Sequence, residues 1–420
     1  MPSATYQYQA GTGTGTGTGT AIVPVTTELP PSADLVVIGG GVIGAATAFF
    51  AAHAGLRTVL IERRPALCTL TTPASTGAFR AQFDNPEEIA LVKESISLFE
   101  HFAEITGLPG YDVRLKKQGY LWLTTTPEGV ARQRALVARQ HEWGLTDVEW
   151  FDGDEARYRF PYLSPGVLGA RYRPGDGWLD VRRLTMGYAA SAALRGATFV
   201  VSTPATGFDL SGGRVRAVLT PRGPISTDRA VIAAGPFSGV VAAMAGVQLP
   251  LSLVRRQKLI MPEVPEVPSD APMTIDEDTG AHWRPAMQGA YLLWTAPGVP
   301  PGPPVEDVPT SADFAFGLLD PSSDHAVARI SPFWRVVWER QTEHWFLQAG
   351  QYDYTPDHRP FLGPTTVPGL YLNCGYSGHG IMAGGGGSRL VIDSLTGALA
   401  PDNNPFRLDR PVAHRDMDVL

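Results

Sequence analysis

The sequence predicts an α/β chain of two compact domains, one of them opening with a Rossmann-like strand-turn-helix unit for a dinucleotide. Three observations predict it. A β-branched run, Leu35-Val36-Val37-Ile38, leads directly into Gly39-x-Gly41-x-x-Gly44 and an Ala-rich stretch. A second run, Thr58-Val59-Leu60-Ile61, ends on Glu62, eighteen positions past the last glycine of that fingerprint. The 420 residues, 44% hydrophobic and 18% charged, are enough for two packed cores and too apolar for a disordered chain.

From the N-terminus, residues 1–32 hold a Gly-Thr repeat from Gly11 to Thr20 and then a Val/Pro/Thr stretch, without a basic start or an apolar block, and are expected to form a flexible tail. Leu35 to Leu56 has the length of a membrane helix, but Gly39 to Gly41 divide it into a strand and a helix from about Val42. Thr58 to Glu62 reads as a strand and Arg63 to about Arg80 as a polar loop. Pro86 to Thr106 reads as one helix, with Ile89, Val92, Ile96 and Phe99 near helical spacing and Gly107 as its stop. Gly119 to Thr124 is strand-like, and Pro127 to Trp143 and Leu184 to Leu194 are helical. Phe199 to Val201, a Gly212-Gly213 hairpin into Val215 to Val218, and Ala230 to Ile232 follow as strands. Proline-rich loops dominate from Pro262 to Pro309, and Pro297 to Pro309 reads as a polyproline connection on the surface in preference to a ligand for a partner domain.

The fingerprint carries the clearest chemistry. Gly39 permits the tight turn, Gly41 lets backbone N–H groups approach a pyrophosphate, and Gly44 allows the helix to pack closely on the strand, while the helix N-terminus attracts the anion and Glu62 accepts from ribose hydroxyls. A formal charge of −7 gives no electrostatic hold on a nucleic acid. Cys68 and Cys374 form neither a disulfide framework nor a metal motif, so a reducing cytoplasm is expected.

Further motifs separate FAD from NAD. Val231-Ile232-Ala233-Ala234-Gly235 resembles the strand-and-glycine segment by which FAD-binding oxidoreductases close over the dinucleotide. It is followed by Thr355-Pro356-Asp357-His358-Arg359-Pro360-Phe361-Leu362-Gly363-Pro364, by Pro368-Gly369-Leu370-Tyr371 and by Gly375-Tyr376-Ser377-Gly378-His379-Gly380. In this order the motifs resemble the D-amino-acid-oxidase-type flavoproteins from about Ala33 to Gly397, and within them the sarcosine oxidase, glycine oxidase and dimethylglycine dehydrogenase branch. The resemblance implies a p-hydroxybenzoate-hydroxylase-like architecture. Residues 33–112, 175–249 and 350–400 would bind FAD. Residues 113–174 and 250–349 would form a substrate domain whose sheet roofs the flavin, and 401–420 a C-terminal tail. It assigns cofactor contacts to Gly39, Gly41, Val42, Ile43 and Gly44, to Glu62, Arg63 and Arg64, to Ser75, Thr76 and Gly77, to Ala205, Ala234 and Gly235, and to Gly378, His379, Gly380, Ile381 and Met382. A glycine-rich helix start at Gly378 to Gly380 also suits a reduced flavin, whose negative charge its N–H groups would favour.

Several positions depart from the family pattern. The substrate-binding lysine of monomeric sarcosine oxidases is replaced by Met382, whereas the arginine of their flavin loop matches Arg80, in Arg80-x-x-Phe83. None of Lys93, Lys116, Lys117 and Lys258 falls in a strand resembling that of their oxygen-activating lysine. Gly350-Gln351-Tyr352-Asp353 stands where they carry a flavin-linking cysteine, and the Thr71 to Gly77 loop lacks the linking histidine of dimethylglycine dehydrogenases, so FAD is expected to be non-covalent.

Arg80 is expected either to hold a substrate carboxylate or to pair with Asp84 or Glu87. His379 is expected at the flavin edge, with a helix-start role as the alternative. His282 and Arg284 lie in Gly280-Ala281-His282-Trp283-Arg284-Pro285, which resembles the family strand that crosses the flavin; His282 is expected to be an exposed strand residue and Arg284 a further carboxylate ligand. Of Tyr352 and Tyr354, at most one is expected to face the cavity, with Tyr352 the catalytic candidate and core packing the alternative for either. Cys374 should be buried and Cys68 exposed on its loop. The implied reaction is oxidation of the C–N bond of a small or N-substituted amino acid to an imine, with electrons leaving to O2 or another acceptor. The alternatives are a 2-hydroxy-acid dehydrogenase, which needs a base at His379 or His282, and a non-catalytic flavoprotein scaffold.

Overall fold

The computed structural model describes residues 4–7, 22–341 and 344–412; the Gly-Thr repeat lies outside them. β1 (Leu35–Ile38), α1 (Val42–His53) and β2 (Thr58–Ile61) form the predicted strand-turn-helix-strand unit. All residues of both strands are buried, and β1 sends Leu35 and Val37 into one core and Val36 and Ile38 into the other. A β-branched run thus serves a parallel sheet covered on both faces. The sheet has eight strands in the order Ala4–Gln7, Ile22–Thr26, Thr198–Val200, β2, β1, Ala230–Ile232, Leu370–Cys374, Phe361–Pro364, and only its two outermost pairs are antiparallel. The chain leaves β1 toward β2 on one side while Ala230–Ile232 pairs on the other. The strand order therefore reverses at β1, which opens a crevice beyond the strand ends.

The second sheet roofs that crevice. Its strands β3 (Tyr120–Thr124), β4 (Ser252–Met261), β5 (Met273–Asp276), β6 (Ala281–Ala286), β7 (Gly289–Trp294) and β8 (Phe346–Tyr354) run in the order β8-β4-β7-β6-β5-β3, followed by Gly169–Arg173 and Glu149–Asp152. Its outer face packs Trp283 against Trp334 and the helices Ala312–Leu319 and Phe333–Arg340. The last long helix, α2 (Gly380–Thr396), returns to the first sheet. Its run Gly384 to Gly387 permits close approach: a Cβ at Gly384 would lie 2.5 Å from Ile43 Cδ1, and one at Gly386 2.5 Å from the Leu91 carbonyl oxygen. Among the described residues, no helix is long and apolar enough to cross a membrane.

The structure departs from the expected elements in several places. Ile22–Thr26, expected within the flexible tail, is a strand with Val23 and Val25 buried; their alternation was masked by the adjacent repeat. The expected C-terminal tail is docked as far as it is described, with Phe406 buried and Arg410 bonded to Asp357 at 2.7 Å. β8 straddles the domain boundary placed at residue 350 and joins residues 350–354 to the roof. The loop after β2 holds a helical turn, Thr71–Ala74, and a short strand, Ala78–Phe79. The helix expected over Pro86 to Thr106 breaks at His101 into Pro86–Glu100 and Phe102–Thr106. In the expected proline-rich region, β6 lies where a family strand was expected, but β5 and β7 on either side of it were not expected.

Residues 296–311 have no regular structure and form a surface strap. Gly302 N donates to Leu253 O at 2.9 Å, Gln351 brackets Pro303 O and Val305 N at 2.8 and 2.9 Å, and the Glu306 carboxylate bridges Arg63 and Arg64. The strap therefore ties the roof to the end of β2.

Candidate active site

A cleft enclosing about 1540 Å³ of space, its open mouth included, runs from the β1 turn to the start of α2. Gly39, Gly41, Val42 and Ile43 form one end, with Glu62 and Arg63 from the end of β2. Ala205, Ala234 and Gly235 close one side, Ser75 stands opposite, and Gly378, Gly380 and Ile381 form the far end. Thr76, His379 and Met382 border an adjoining cavity instead, and Arg64 a recess under the strap. Gly44 lies behind the turn, where a Cβ would lie 1.8 Å from Gly39 O. Gly77 is also a packing glycine, with φ +74° and Leu179 O at 2.2 Å from its ideal Cβ.

The fit to a dinucleotide shows at Gly41. A Cβ on Gly39 or Gly44 would strike backbone at 2.4 or 1.8 Å, whereas one on Gly41 meets only Thr72 Oγ1 at 3.2 Å and points into the cleft. Protein packing thus requires the two outer glycines, and the middle one leaves the cradle open. Glu62 is buried, accepts from Gly40 N at 2.6 Å and Arg64 N at 2.8 Å, and borders the cleft where a ribose would lie. Burial raises its pKa against those bonds. These residues suit the adenosine diphosphate half of FAD.

Two roof cations hold the Pro73–Thr76 loop at the cleft wall. Lys258 Nζ donates to Pro73 O at 3.2 Å and Ser75 O at 2.8 Å; burial, with Arg284 and Arg182 nearby, lowers its pKa to about 7. Arg284 Nε donates to Thr76 O at 3.1 Å and its Nη1 to Pro285 O at 2.7 Å. Arg284, expected as a carboxylate ligand, is thus committed to backbone carbonyls. Lys258, which the sequence reading gave no role, is thus a buried residue of β4 held against the Pro73–Ser75 loop.

The adjoining cavity is aromatic and cationic. Tyr120, Trp122, Trp294, Tyr352 and Tyr354 border it, together with Arg80, Arg256, His282 and His379, and among the described residues no acidic side chain lines it. Tyr352 and Tyr354 both face it, 6.0 Å apart, because residues two apart on a strand share a face; the expectation that at most one would do so misapplied this period. A Cβ on Gly378 would lie 2.4 Å from the Tyr352 ring, so that glycine makes room for it. His282, half-buried, borders the cavity, with Nδ1 2.9 Å from Gly280 O, and burial lowers its pKa to about 4. Cys68 is buried, with a raised pKa, and not exposed.

Arg80 is 1% exposed, and burial lowers its pKa below the usual guanidinium range. Its Nη1 donates to Gln82 O at 3.1 Å, its Nη2 lies 3.2 Å from His379 Nε2, and Phe83 and Trp122 flank it at 4.4 and 5.2 Å. Glu87 pairs with Arg359, whereas Glu88, Asp176 and Asp84 lie near enough to Arg80 to oppose that lowering. Sequence reasoning missed Tyr120, Trp122, Trp294 and Arg256. The available signal was Arg256-x-Lys258, two cations at period two and so on one face of a strand.

Known proteins agree with this geometry. The family described as FAD dependent oxidoreductase matches residues 34–394. The mitochondrial dimethylglycine dehydrogenase of Mus musculus is 27% identical over 384 residues, covering 87% of this chain and 42% of its own. The sarcosine oxidase subunit beta of an Arthrobacter species is 25% identical over 391 residues, covering 91% of this chain and 92% of its own. L-proline dehydrogenase from P. horikoshii superposes with a TM-score of 0.78 at 25% identity, covering 89% of this chain and 96% of that one. The chain spans less than half the length of the dehydrogenases it matches among curated proteins. Matched over most of its length and carrying the cleft that the cofactor requires, the chain belongs to the DAO family of FAD-dependent oxidoreductases.

Proposed function

We propose that this protein oxidises the C–N bond of a small or N-substituted amino acid to an imine, with Arg80 holding the substrate carboxylate. The observation that carries this reading is the Arg80–His379 contact inside an aromatic cavity without acidic side chains. A guanidinium has only N–H donors, so His379 Nε2 must accept and its ring proton sits on Nδ1. That nitrogen is then occupied and is not a base for a substrate hydroxyl. His282, neutral down to about pH 4, is a weak one. An amine needs neither, because its own lone pair drives loss of hydride once the ammonium has shed a proton.

FAD, when bound, supplies the hydride acceptor. The residues named for it are those of the cleft, with Lys258 and Arg284 fixing the loop at Ser75 and Thr76. The rest is done by the cavity. A free alkylammonium with a pKa of about 10.4 is neutral in roughly one molecule in 2,500 at pH 7, a handicap of roughly 4–5 kcal/mol. Buried Arg80 and the aromatic walls disfavour the ammonium form and attract the carboxylate, so one arrangement both orients the substrate and deprotonates it. The resulting imine hydrolyses in water.

The test is anaerobic reduction of the bound flavin by a panel of amino acids, their amides and 2-hydroxy acids. Bleaching by amino acids and not by hydroxy acids is expected. Bleaching by hydroxy acids alone, or by nothing in the panel, would overturn the reading.

A further inference from the structure

Beyond Arg80 the chain runs through the interior with no sheet to pair with. Ala78–Phe79 pairs with Gly177–Trp178, but Ala81, Gln82 and Phe83 lie in neither strand nor helix, and all three are fully buried. Buried backbone groups need partners, and here side chains supply them. Ala81 N donates to Asp176 Oδ1 at 2.9 Å, Phe83 O accepts from Gln140 Nε2 at 2.9 Å, and Gln82 O accepts from Arg80 Nη1 at 3.1 Å. Phe83 N closes a tight turn on Ala81 O at 2.8 Å, with Gln82 at its centre.

Asp176 clamps this turn with both oxygens. Its Oδ1 takes Ala81 N, and its Oδ2 accepts at 2.9 Å from Gln82 Nε2, the same amide that donates to Tyr120 O of β3 at 3.1 Å. The carboxylate is fully buried, and burial raises its pKa against those bonds. Arg173 pairs with it from three residues away, folding back over Gly175, where a Cβ would lie 2.9 Å from the guanidinium carbon. Gly177, on the other side, has Lys116 O 1.8 Å from its ideal Cβ. The run Arg173-Pro174-Gly175-Asp176-Gly177 therefore admits a charged pair where packed apolar residues would serve stability as well. What the pair adds is a fixed place for two successive residues next to Arg80.

We infer that Asp176 and Gln82 are positioning residues for the carboxylate site: Asp176 fixes Ala81 and Gln82, and the Gln82 carbonyl fixes the Arg80 guanidinium between Phe83 and Trp122 at the cavity wall. This rests on the proposed role of Arg80 and deepens it. Neither residue borders the cavity, so each acts through Arg80. Placement and charge predict opposite signs. Asp176 is a negative charge near Arg80, and its removal would strengthen anion binding through the field alone, whereas lost placement would weaken it. Weakening is expected.

Inert thioethers test this apart from the chemistry, since sulfur replaces nitrogen and no hydride is lost. The FAD-loaded protein is titrated calorimetrically with (methylthio)acetate and with its amide, 2-(methylthio)acetamide, and the ratio of the two affinities is read. Gln82→Met, which keeps the volume and changes no charge, should lower the preference for the acid about tenfold with flavin content intact, and Asp176→Asn should lower it too. In an Arg80→Ala background neither should change it further. If Asp176→Asn does not hold FAD, Gln82→Met decides alone. An unchanged preference in Gln82→Met, or equal falls with and without Arg80, would overturn the inference. A raised preference in Asp176→Asn would do so as well, making Asp176 a counter-charge only, and so would loss of FAD from Gln82→Met, making the turn a part of the fold alone. An unaltered protein that binds acid and amide equally, or an Arg80→Ala protein that keeps the preference, would instead sink the role proposed for Arg80, and the inference with it.

Discussion

Arg80 and Lys258 are buried cations with opposite duties. For Arg80 the expected duty is to pair with an anion that arrives with the substrate. Replacing it by alanine should leave a bound carboxylate desolvated and unpaired, a loss of roughly 2–5 kcal/mol or about thirty- to several-thousand-fold in kcat/KM. Arg80→Lys should recover part of it, since an ammonium cannot reproduce the planar paired hydrogen bond. Comparing an amino acid with its amide in both variants checks this; equal loss on the two would mean that Arg80 only shapes the site. Lys258 answers to pH. Its pKa in the fold, about 7, lies below its ordinary 10.5, so between those values the folded state binds fewer protons than the unfolded one. Stability should therefore rise with pH across that window, and Lys258→Met should flatten the rise in urea unfolding measured from pH 7 to 10. Parallel curves for the two proteins would refute it.

At the scale of elements, two glycines, Gly41 and Gly386, look alike in sequence and differ in what they protect. Gly41→Val should fold and lose FAD, because its side chain enters the cleft, and flavin content after gel filtration would show it. A folded variant with full flavin would contradict the assignment. Gly386→Ala in α2 should destabilise the whole protein by about 1–3 kcal/mol, since its Cβ meets the Leu91 carbonyl and the gain in helix propensity is only about 1 kcal/mol. An unchanged urea midpoint would show that α2 gives way freely. The legibility of elements followed the same logic. β1, α1 and β2 were readable because fingerprint glycines and continuous β-branched runs are local signals. β4 and β8 were not, because their charged and polar residues point into a cavity and break the apolar pattern that marks a strand. The error over Tyr352 and Tyr354 was one of period, and His282 was legible only by half, being partly exposed and partly turned to the cavity.

For the whole molecule, the order of motifs along the chain revealed the cofactor and the two-layer plan, since each motif marks a return to the same crevice. The cavity was less legible: Arg80 from one sheet's loop, Trp122 from β3 and Arg256 from β4 come together only through strand order. Acid precipitation should release FAD into the supernatant, as no cysteine or histidine occupies the positions that link it in relatives; flavin remaining with the pellet would contradict this. The strap from 296 to 311 makes the cofactor's departure a matter of ionic strength. Its Glu306 is 45% exposed, and a pair so open is worth at most about 1 kcal/mol, yet it fastens roof to nucleotide end at the wall of the cleft. Salt loosens such a clasp without touching the apolar cores. FAD should therefore escape a few times faster in molar salt than in dilute buffer, followed by the rise of free-flavin fluorescence after dilution. In Glu306→Gln, escape should already be fast in dilute buffer and respond little to salt, so the residence time of the flavin would be set by one exposed carboxylate that never touches it.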